Sequence, residues 1–360
     1  MIDKGLEILT DFSDLSPDFT DSIAVQARTP MHHHIWTQAA SETLYPDYKA
    51  QILKTRQGGG AGFGAFARQK GFPGRLFLMG AEELGEQADL TFDTPETARA
   101  LAHAFKKTGR AGRFGHFAAN SQFVGALQNA FAKGGYVAKA PVQGAPYIDL
   151  DEGWADPLSK LTARYRSDFR RMGRKANALG EVTTEVLTPT ASTVETILAQ
   201  AISIETLGWK GRAGTSLLED ERKAAFYKRY AELASEQGIL RIAFLRIDDK
   251  AVAMQIAAQS DGGFWLLKIG YNEGYRKCSP GNLLMLETIK YAVNEGLSRY
   301  EFLGKAAGWT KTWTKEEHPA IRLRAYPYTF HGLTALAIDG VDIGLKRFKE
   351  KMKNRGKSNA

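Results

Sequence analysis

Apolar residues fill Phe264 to Tyr271 almost without a break, over a length and in an aromatic and aliphatic composition that predict a buried strand. Turn formers follow as far as Gly281. From Asn282 the apolar positions Leu286, Ile289 and Val293 recur at helical spacing, and Gly296 stands where a left-handed C-terminal cap is expected. Arg299 to Leu303 predicts a second short strand, so this stretch forms a strand, helix, strand unit. Upstream, Val182–Leu187 predicts a strand. A helix follows, opened by the capping box Ser192-Thr-Val-Glu195 and burying Val194, Ile197, Ala201 and Ile204. A second helix runs from Asp220 to Gln237 and stops at Gly238, and ILRIAFLRI and KAVAMQIAAQ predict a hairpin that turns at Asp248-Asp249.

The first 150 residues carry the same kind of alternation. YKAQILKTRQ, GRLFLMG and AGRFGHFAAN have strand-like patterns, TPETARALAHAFKKTG and SQFVGALQNAFAKGG have helical periodicity ending in glycine, and Tyr136–Leu150 is a further apolar segment. At 360 residues the chain exceeds what one hydrophobic core usually serves. The expectation is an α/β (α+β) protein with one domain over residues 1–150, a second over 151–330 and a basic tail over 331–360.

Composition narrows the setting. No stretch approaches 18 uninterrupted apolar residues, and the opening MIDKGLEILTDFSDL lacks a basic region followed by an apolar one, so neither a membrane span nor a secretory signal is expected. The single cysteine, Cys278, rules out an internal disulfide framework and suits a reducing compartment, which predicts a cytoplasmic location. The net charge of +8 is concentrated at one end, where residues 345–360 hold seven Lys and Arg against Glu350. Such a tail reads as a solvated, frayed terminus or as a contact to anionic lipid, where each basic residue contributes about 1 kcal/mol. The stretch LTALAIDGVDIGL before it adds an amphipathic signal and suggests a peripheral position on the inner membrane.

Two features invite a chemistry they do not support. Gly58–Gly64, GGGAGFG, has no Gly-Lys-Ser/Thr after it and predicts a flexible hairpin turn rather than a phosphate loop. His32, His33 and His34 are adjacent, so their side chains diverge, and no metal site is expected from them. With Trp36 and Tyr45 flanking it, that segment instead suggests an acceptor-contacting loop.

Three other patterns point to a ligand. Leu161–Leu179 predicts a helix with six cations, Arg164, Arg166, Arg170, Arg171, Arg174 and Lys175, against Asp168, which is either a solvated face or a surface turned to an anion. Trp309, Lys311 and Trp313 alternate, which in an extended segment places all three on one face, lining a groove. Most informative is the turn Tyr275–Leu283. There Arg276, Lys277, Ser279 and Gly281 crowd the start of a helix, where unpaired N–H groups and the positive dipole end form an anion site.

On these residues the chain resembles the GNAT acyltransferase superfamily, whose acyl-CoA pyrophosphate sits on a turn of pattern Arg/Gln-x-x-Gly-x-Gly/Ala. Here the pattern becomes Arg276-Lys-Cys-Ser279-Pro-Gly281, with Ser279 in place of the first glycine. The stretches KIGYNEGYRKCSPGNLL, TLGWKGRAGTSL and YEFLGKAAGWTKTW resemble the FemAB-like branch that includes the CelD (BcsL)-type acetyltransferase domain, over roughly residues 150 to 325. The resemblance implies tandem GNAT-like domains, each a mixed, mostly antiparallel sheet flanked by helices, the first degenerate.

It also implies acyl-CoA, or an acyl carrier protein, as donor and an amine as acceptor, with no metal and no nucleic acid. Tyr275, Arg276, Lys277, Ser279, Gly281, Asn282 and Leu283 would hold the coenzyme. For the base, Glu301 lies in an otherwise apolar strand, where burial would raise its pKa, and Glu205 near the GWKGRAGTSL loop is the second candidate. Lys268 sits in the neighbouring strand, so a buried Glu301–Lys268 ion pair is the structural alternative. Tyr271 could protonate the departing thiolate, and Trp209, Lys210, Trp309 and Lys311 stand on the acceptor side. The resemblance implies acceptors that include envelope precursors, polysaccharide-related substrates and the amine of a sphingoid base, and among these the basic tail, the basic helix and the absence of a membrane span favour a lipid amine, giving a ceramide-type amide. Aminoacyl transfer from charged tRNA to an envelope precursor, as in FemX, or a non-catalytic glycan- or lipid-binding module are the competing functions.

Overall fold

The computed structural model describes residues 5–57, 59–208 and 220–358, with side chains as far as Leu345. The expected acceptor-side residues Trp209 and Lys210 lie outside the described residues. In chain order the strands are β1 (Leu6–Leu9), β2 (Lys49–Gln57), β3 (Gly60–Arg68), β4 (Leu76–Leu78), β5 (Thr91–Phe92), β6 (Gly112–Ala118), β7 (Gly135–Asp149), β8 (Val182–Leu187), β9 (Leu240–Ile247), β10 (Lys250–Ser260), β11 (Gly263–Tyr271), β12 (Arg299–Glu301) and β13 (Glu317–Pro327). The helices are α1 (Pro17–Ala24), α2 (His34–Thr43), α3 (Pro95–Lys107), α4 (Gln122–Phe131), α5 (Pro157–Lys160), α6 (Ala163–Asn177), α7 (Val194–Thr206), α8 (Glu221–Glu236), α9 (Pro280–Asn294) and α10 (Phe330–Ser358).

The strands join one mixed, mostly antiparallel sheet in the order β1-β2-β3-β4-β6-β13-β7-β12-β11-β10-β9-β8, with β5 on the side of β3. Only the pairs β4–β6 and β11–β12 are parallel among the named strands. β7 is the seam. It runs antiparallel to β13 over Gly135–Pro146, then to β12 over Tyr147–Asp149, and so serves the strands of both halves.

Local chemistry explains most boundaries. Thr94 and Thr97 close a capping box before Pro95 at the first position of α3. Asp248 and Asp249, at φ 47° and 62°, make the left-handed two-residue turn that fits the twist of β9 and β10. The start of α7 differs from expectation: Thr193 occupies the cap without a side-chain bond to the helix, because its hydroxyl is engaged with Thr190 in the preceding turn.

One large core spans both halves, from Phe19, Trp36, Phe66 and Phe105 to Phe226, Tyr230, Phe244 and Met254. A second core, on the opposite face of the C-terminal strands, packs Phe264, Leu266, Met285, Ile289 and Tyr300 between the sheet and α9.

Four expectations need correction. Of the glycines in GGGAGFG, Gly59 (φ 84°) stands at the expected turn between β2 and β3, while Gly60, Gly62 and Gly64 lie in β3, a buried strand, and Gly58 is outside the described residues. A Cβ at Gly62 would come 2.9 Å from Thr55 and 3.1 Å from Leu101 on α3, and one at Gly64 would come 2.8 Å from Leu90, so the glycines let cover pack directly on the strand. Trp36 and Tyr45 are buried core residues and offer nothing to an acceptor. Trp309, Lys311 and Trp313 lie on and beside a 3₁₀ turn, Thr310–Thr312, which sends them apart. Trp309 is 38% exposed, Lys311 is exposed, and Trp313 is buried against Phe169 with ring centroids 5.3 Å apart. The tail is helical rather than frayed. Asp339 roots α10 in the body by accepting from Arg75 (2.6 Å) and Tyr326 (2.6 Å). Among the described residues no helix is long and apolar enough to cross a membrane.

Candidate active site

β11 delivers the chain to the turn. At its end the Asn272 side chain accepts from the Gly274 N–H at 2.9 Å, a 3₁₀ turn spans Glu273–Cys278, and Ser279 caps α9 with Pro280 at the first helical position. Ser279 stands at φ 49°, ψ 58°, which is why the family pattern has glycine here. Its carbonyl accepts from Asn282 (3.0 Å) and Leu283 (3.3 Å), while Gly281 faces the adjoining cavity. The left-handed backbone costs a non-glycine residue ~1–2 kcal/mol. Glycine relieves that strain but loses ~0.5–1 kcal/mol to its unfolded-state freedom. Ser279→Gly is therefore expected to change stability in urea by less than about 1 kcal/mol, and Ser279→Val to lower it by about 2 kcal/mol. A neutral valine variant would show that the fold does not impose this conformation.

Beside the turn the sheet parts. β11 and β12 pair only at Gly263–Arg299, Phe264–Tyr300 and Trp265–Glu301. Beyond that, Leu266–Ile269 and Phe302–Lys305 become opposite walls of a cavity of about 170 Å³. A larger cavity of about 410 Å³ adjoins it, sharing Ile269 and Trp309. Its walls come from Glu205 and Gly208 at the end of α7, Ile269–Tyr271 on β11, and Ser279, Gly281 and Asn282 at the start of α9. Gly270 makes this possible, since a Cβ there would lie 2.9 Å from the Cα of Glu205. With no side chain, α7 closes on the strand and carries Glu205, 1% exposed, to the cavity wall.

Of the residues singled out from sequence, Glu205, Tyr271, Ser279, Gly281, Asn282 and Trp309 thus come together around one cavity. Tyr275 and Leu283 pack behind the turn with Cys278 and Leu284. Arg276 and Lys277 are exposed on the turn itself. The cationic helix α6 packs against the same turn, burying Phe169 and Ala176 while most of its arginines face outward. Lys268 lines the smaller cavity, its ammonium 4.9 Å from the centre of the Tyr227 ring.

Glu301 is placed differently. It is fully buried, it lines neither cavity, and its carboxylate meets His318 Nε2 at 3.0 and 3.1 Å, with Tyr147 stacked on that imidazole at 3.9 Å. The register sets Trp265 opposite Glu301, and the carboxylate's hydrogen-bond partner is His318, so the anticipated Glu301–Lys268 pair is corrected.

Sequence reasoning missed Glu86. It comes from the N-terminal half, in AEELGEQADL. It is 5% exposed, accepts from the Gly304 N–H at 2.8 Å and lines the smaller cavity; burial lifts its pKa to about 7. Among the described residues no cluster of His, Cys, Asp and Glu could hold a metal ion.

A mixed, mostly antiparallel sheet flanked by helices, splayed beside a turn that opens a helix, is the arrangement expected of a GNAT-like fold. The whole-chain fold is similar to that of FemX, with TM-score 0.61 and 11% identity over 92% of this chain and 99% of that one. It is similar as well to a tandem GNAT protein from the clavulanic acid biosynthesis pathway (TM-score 0.50, 13% identity, 90% and 99% covered). A conserved protein of unknown function from Bacteroides thetaiotaomicron VPI-5482 shares it too (TM-score 0.53, 9% identity, 88% and 99% covered). In sequence, residues 163–311 match the family described as Acetyltransferase (GNAT) domain, and these residues contain the turn, α9 and the cavity walls on α7 and β11. The matched part of the C-terminal half is thus similar in sequence to GNAT acetyltransferase domains, and the whole chain is similar in fold to the proteins above. No curated protein matches the chain.

Proposed function

We propose that the chain is an N-acyltransferase that moves an acyl group from acyl-CoA to a primary amine. The observation that carries this is the parting of β11 from β12 close to the left-handed turn that opens α9, with a 170 Å³ cavity in the gap and a 410 Å³ cavity adjoining it beside the turn. Diphosphate suits the mouth of α9, where Gly281 is open to the cavity, Arg276 and Lys277 stand on the turn, and α6 adds positive potential. The thioester arm then lies along β11. Glu205 takes the proton from the acceptor's ammonium, the amine forms a bond to the thioester carbon and the C–S bond breaks; the Tyr271 hydroxyl gives its proton to the thiolate and is restored by the second proton leaving the new amide nitrogen, so that one proton remains on Glu205.

The finer assignment is a lipid amine of the sphingoid-base kind, acylated at the surface of an anionic membrane by a member of the CelD-like branch. α10 supports it: Phe330, Leu333, Val341 and Leu345 are exposed along a helix whose sequence continues into seven cations. The test is a thermal-shift series with acetyl-CoA, long-chain acyl-CoA, acyl carrier protein and charged tRNA, followed by mass spectrometry of products formed from long-chain amines with and without anionic vesicles. Stabilisation by long-chain acyl-CoA and an N-acyl product enhanced by vesicles is expected. Stabilisation by tRNA alone would replace this function with aminoacyl transfer, and no response to any donor would leave a binding module.

A further inference from the structure

We infer that Glu86, contributed by the N-terminal half, binds the acceptor's ammonium group at the narrow end of the gap between β11 and β12. The pocket around it suits a primary amine with a hydroxyl or anionic oxygen beside it. The inference rests on the acyl-transfer function proposed above and names the side from which its second substrate is held.

The position of Glu86 is fixed from both directions. Behind it, the N–H groups of Gly85 and Glu86 both donate to Ala81 O, at 3.0 and 3.2 Å, in a turn where Gly85 has φ 75°. Two residues on, Ala88 is bridged to Phe117 on β6. Ahead of it, Leu303 and Gly304 adopt φ 59° and 58°. A buried leucine in that conformation is a costly choice, and here the bend accompanies the Gly304 N–H donating to Glu86 Oε2. The carboxylate is thereby held among Leu266, Leu267, Phe302 and Leu303.

A clamp between the two halves would need no open space beside it. Here 170 Å³ of cavity adjoins the carboxylate and shares the wall made by Ile269 and Trp309 with the larger cavity that holds Glu205 and Tyr271. An ammonium at Glu86 would therefore approach a thioester on the other side of that pair. The charged and titratable groups facing Glu86 are Lys268 on β11, Tyr227 on α8, Lys305 at the rim, and His116 on β6 beneath the turn at Gly85. One carboxylate among two lysines recognises a group that brings both an ammonium and an oxygen function, the oxygen going to Lys305. An amino-alcohol lipid head and a free amino acid share that chemistry.

Burial holds the Glu86 carboxyl at a pKa of about 7, so its negative charge, and with it the hold on an ammonium, is lost as pH falls through about 7. Glutamine keeps an oxygen for the Gly304 N–H, so Glu86→Gln should fold. The full-length chain and this variant are compared with long-chain acyl-CoA as donor and three acceptors: a long-chain 2-amino alcohol, an alkylamine of equal length and serine. The wild type is expected to prefer the amino alcohol or serine to the alkylamine, and whichever is preferred identifies the source. Glu86→Gln should raise the apparent KM for that amine about tenfold or more, with acyl-CoA stabilisation unchanged. It should also abolish the decline of kcat/KM below pH 7. Glu86→Asp, which keeps the charge, should recover part of the loss. An apparent KM and pH profile within twofold of wild type in Glu86→Gln would overturn the assignment. So would failure of all three amines while acyl-CoA still stabilises the protein. If acyl-CoA does not stabilise the wild type, the transferase function itself fails and the role of Glu86 goes with it.

Discussion

Glu205→Gln is expected to reduce acyl transfer by about 10²–10³-fold while leaving acyl-CoA binding within a factor of two. The glutamine is nearly isosteric, so α7 should stay seated against Gly270 and the cavity should keep its shape. What it removes is the proton acceptor on the wall that faces Tyr271 and the start of α9. Loss confined to kcat, with donor titration by thermal shift unchanged, identifies the group that acts on the amine. Glu301→Gln is the reference. Its carboxylate is turned to His318 and away from both cavities, so that change should lower stability more than turnover. Full activity in Glu205→Gln, or a collapse of turnover in Glu301→Gln at unchanged stability, would reverse the two roles.

Trp36→Ala is expected to destabilise the whole protein by about 3–5 kcal/mol, the range for deleting a fully buried large aromatic side chain. The indole sits edge-on to Phe226 and Tyr230 of α8, with centroids 4.8 and 4.9 Å away, and donates from Nε1 to the Gly80 carbonyl at 3.1 Å. Gly80, at φ 71°, would carry a Cβ 2.5 Å from the ring nitrogen, so that loop and the tryptophan are fitted to each other. Because Trp36 belongs to the N-terminal half and α8 to the C-terminal half, the loss should appear in both. Urea denaturation followed by tryptophan fluorescence and by far-UV circular dichroism should give one coincident transition shifted downward. Separate transitions, with only the first 150 residues affected, would show that the shared core does not couple them.

The central strand, helix, strand unit was legible in the sequence because its signals are local. The apolar run of β11, the helical spacing in α9 and the left-handed glycine at 296 each depend on near neighbours. Features set by distant partners were not. The glycines of β3 resemble a turn until Leu101 and Leu90 are seen lying on them. Alternation of Trp309, Lys311 and Trp313 suggested a strand, whereas one helical turn scatters them. Glu205 was placed near the acceptor loop by position along the chain, and its arrival at the cavity depends on a close approach to Gly270 that no periodicity reveals. Glu301 looked like a base because an acid in an apolar strand must have a purpose. That purpose was a partner, His318, on a strand 17 residues later. Glu86 had no local signal of any kind, since the cavity beside it is lined by residues 180 or more positions away.

The seam formed by β7 limits how a substrate can get in. A single uninterrupted strand is laced to β13 along one stretch and to β12 along the next, so swinging the halves apart like a clamshell would mean tearing a ladder at the middle of the molecule. Such a rupture is too costly to recur in every catalytic cycle. Traffic to the acyl-transfer site proposed here must then reach the cavity between α7, Trp309 and the head of α9 without parting the two halves.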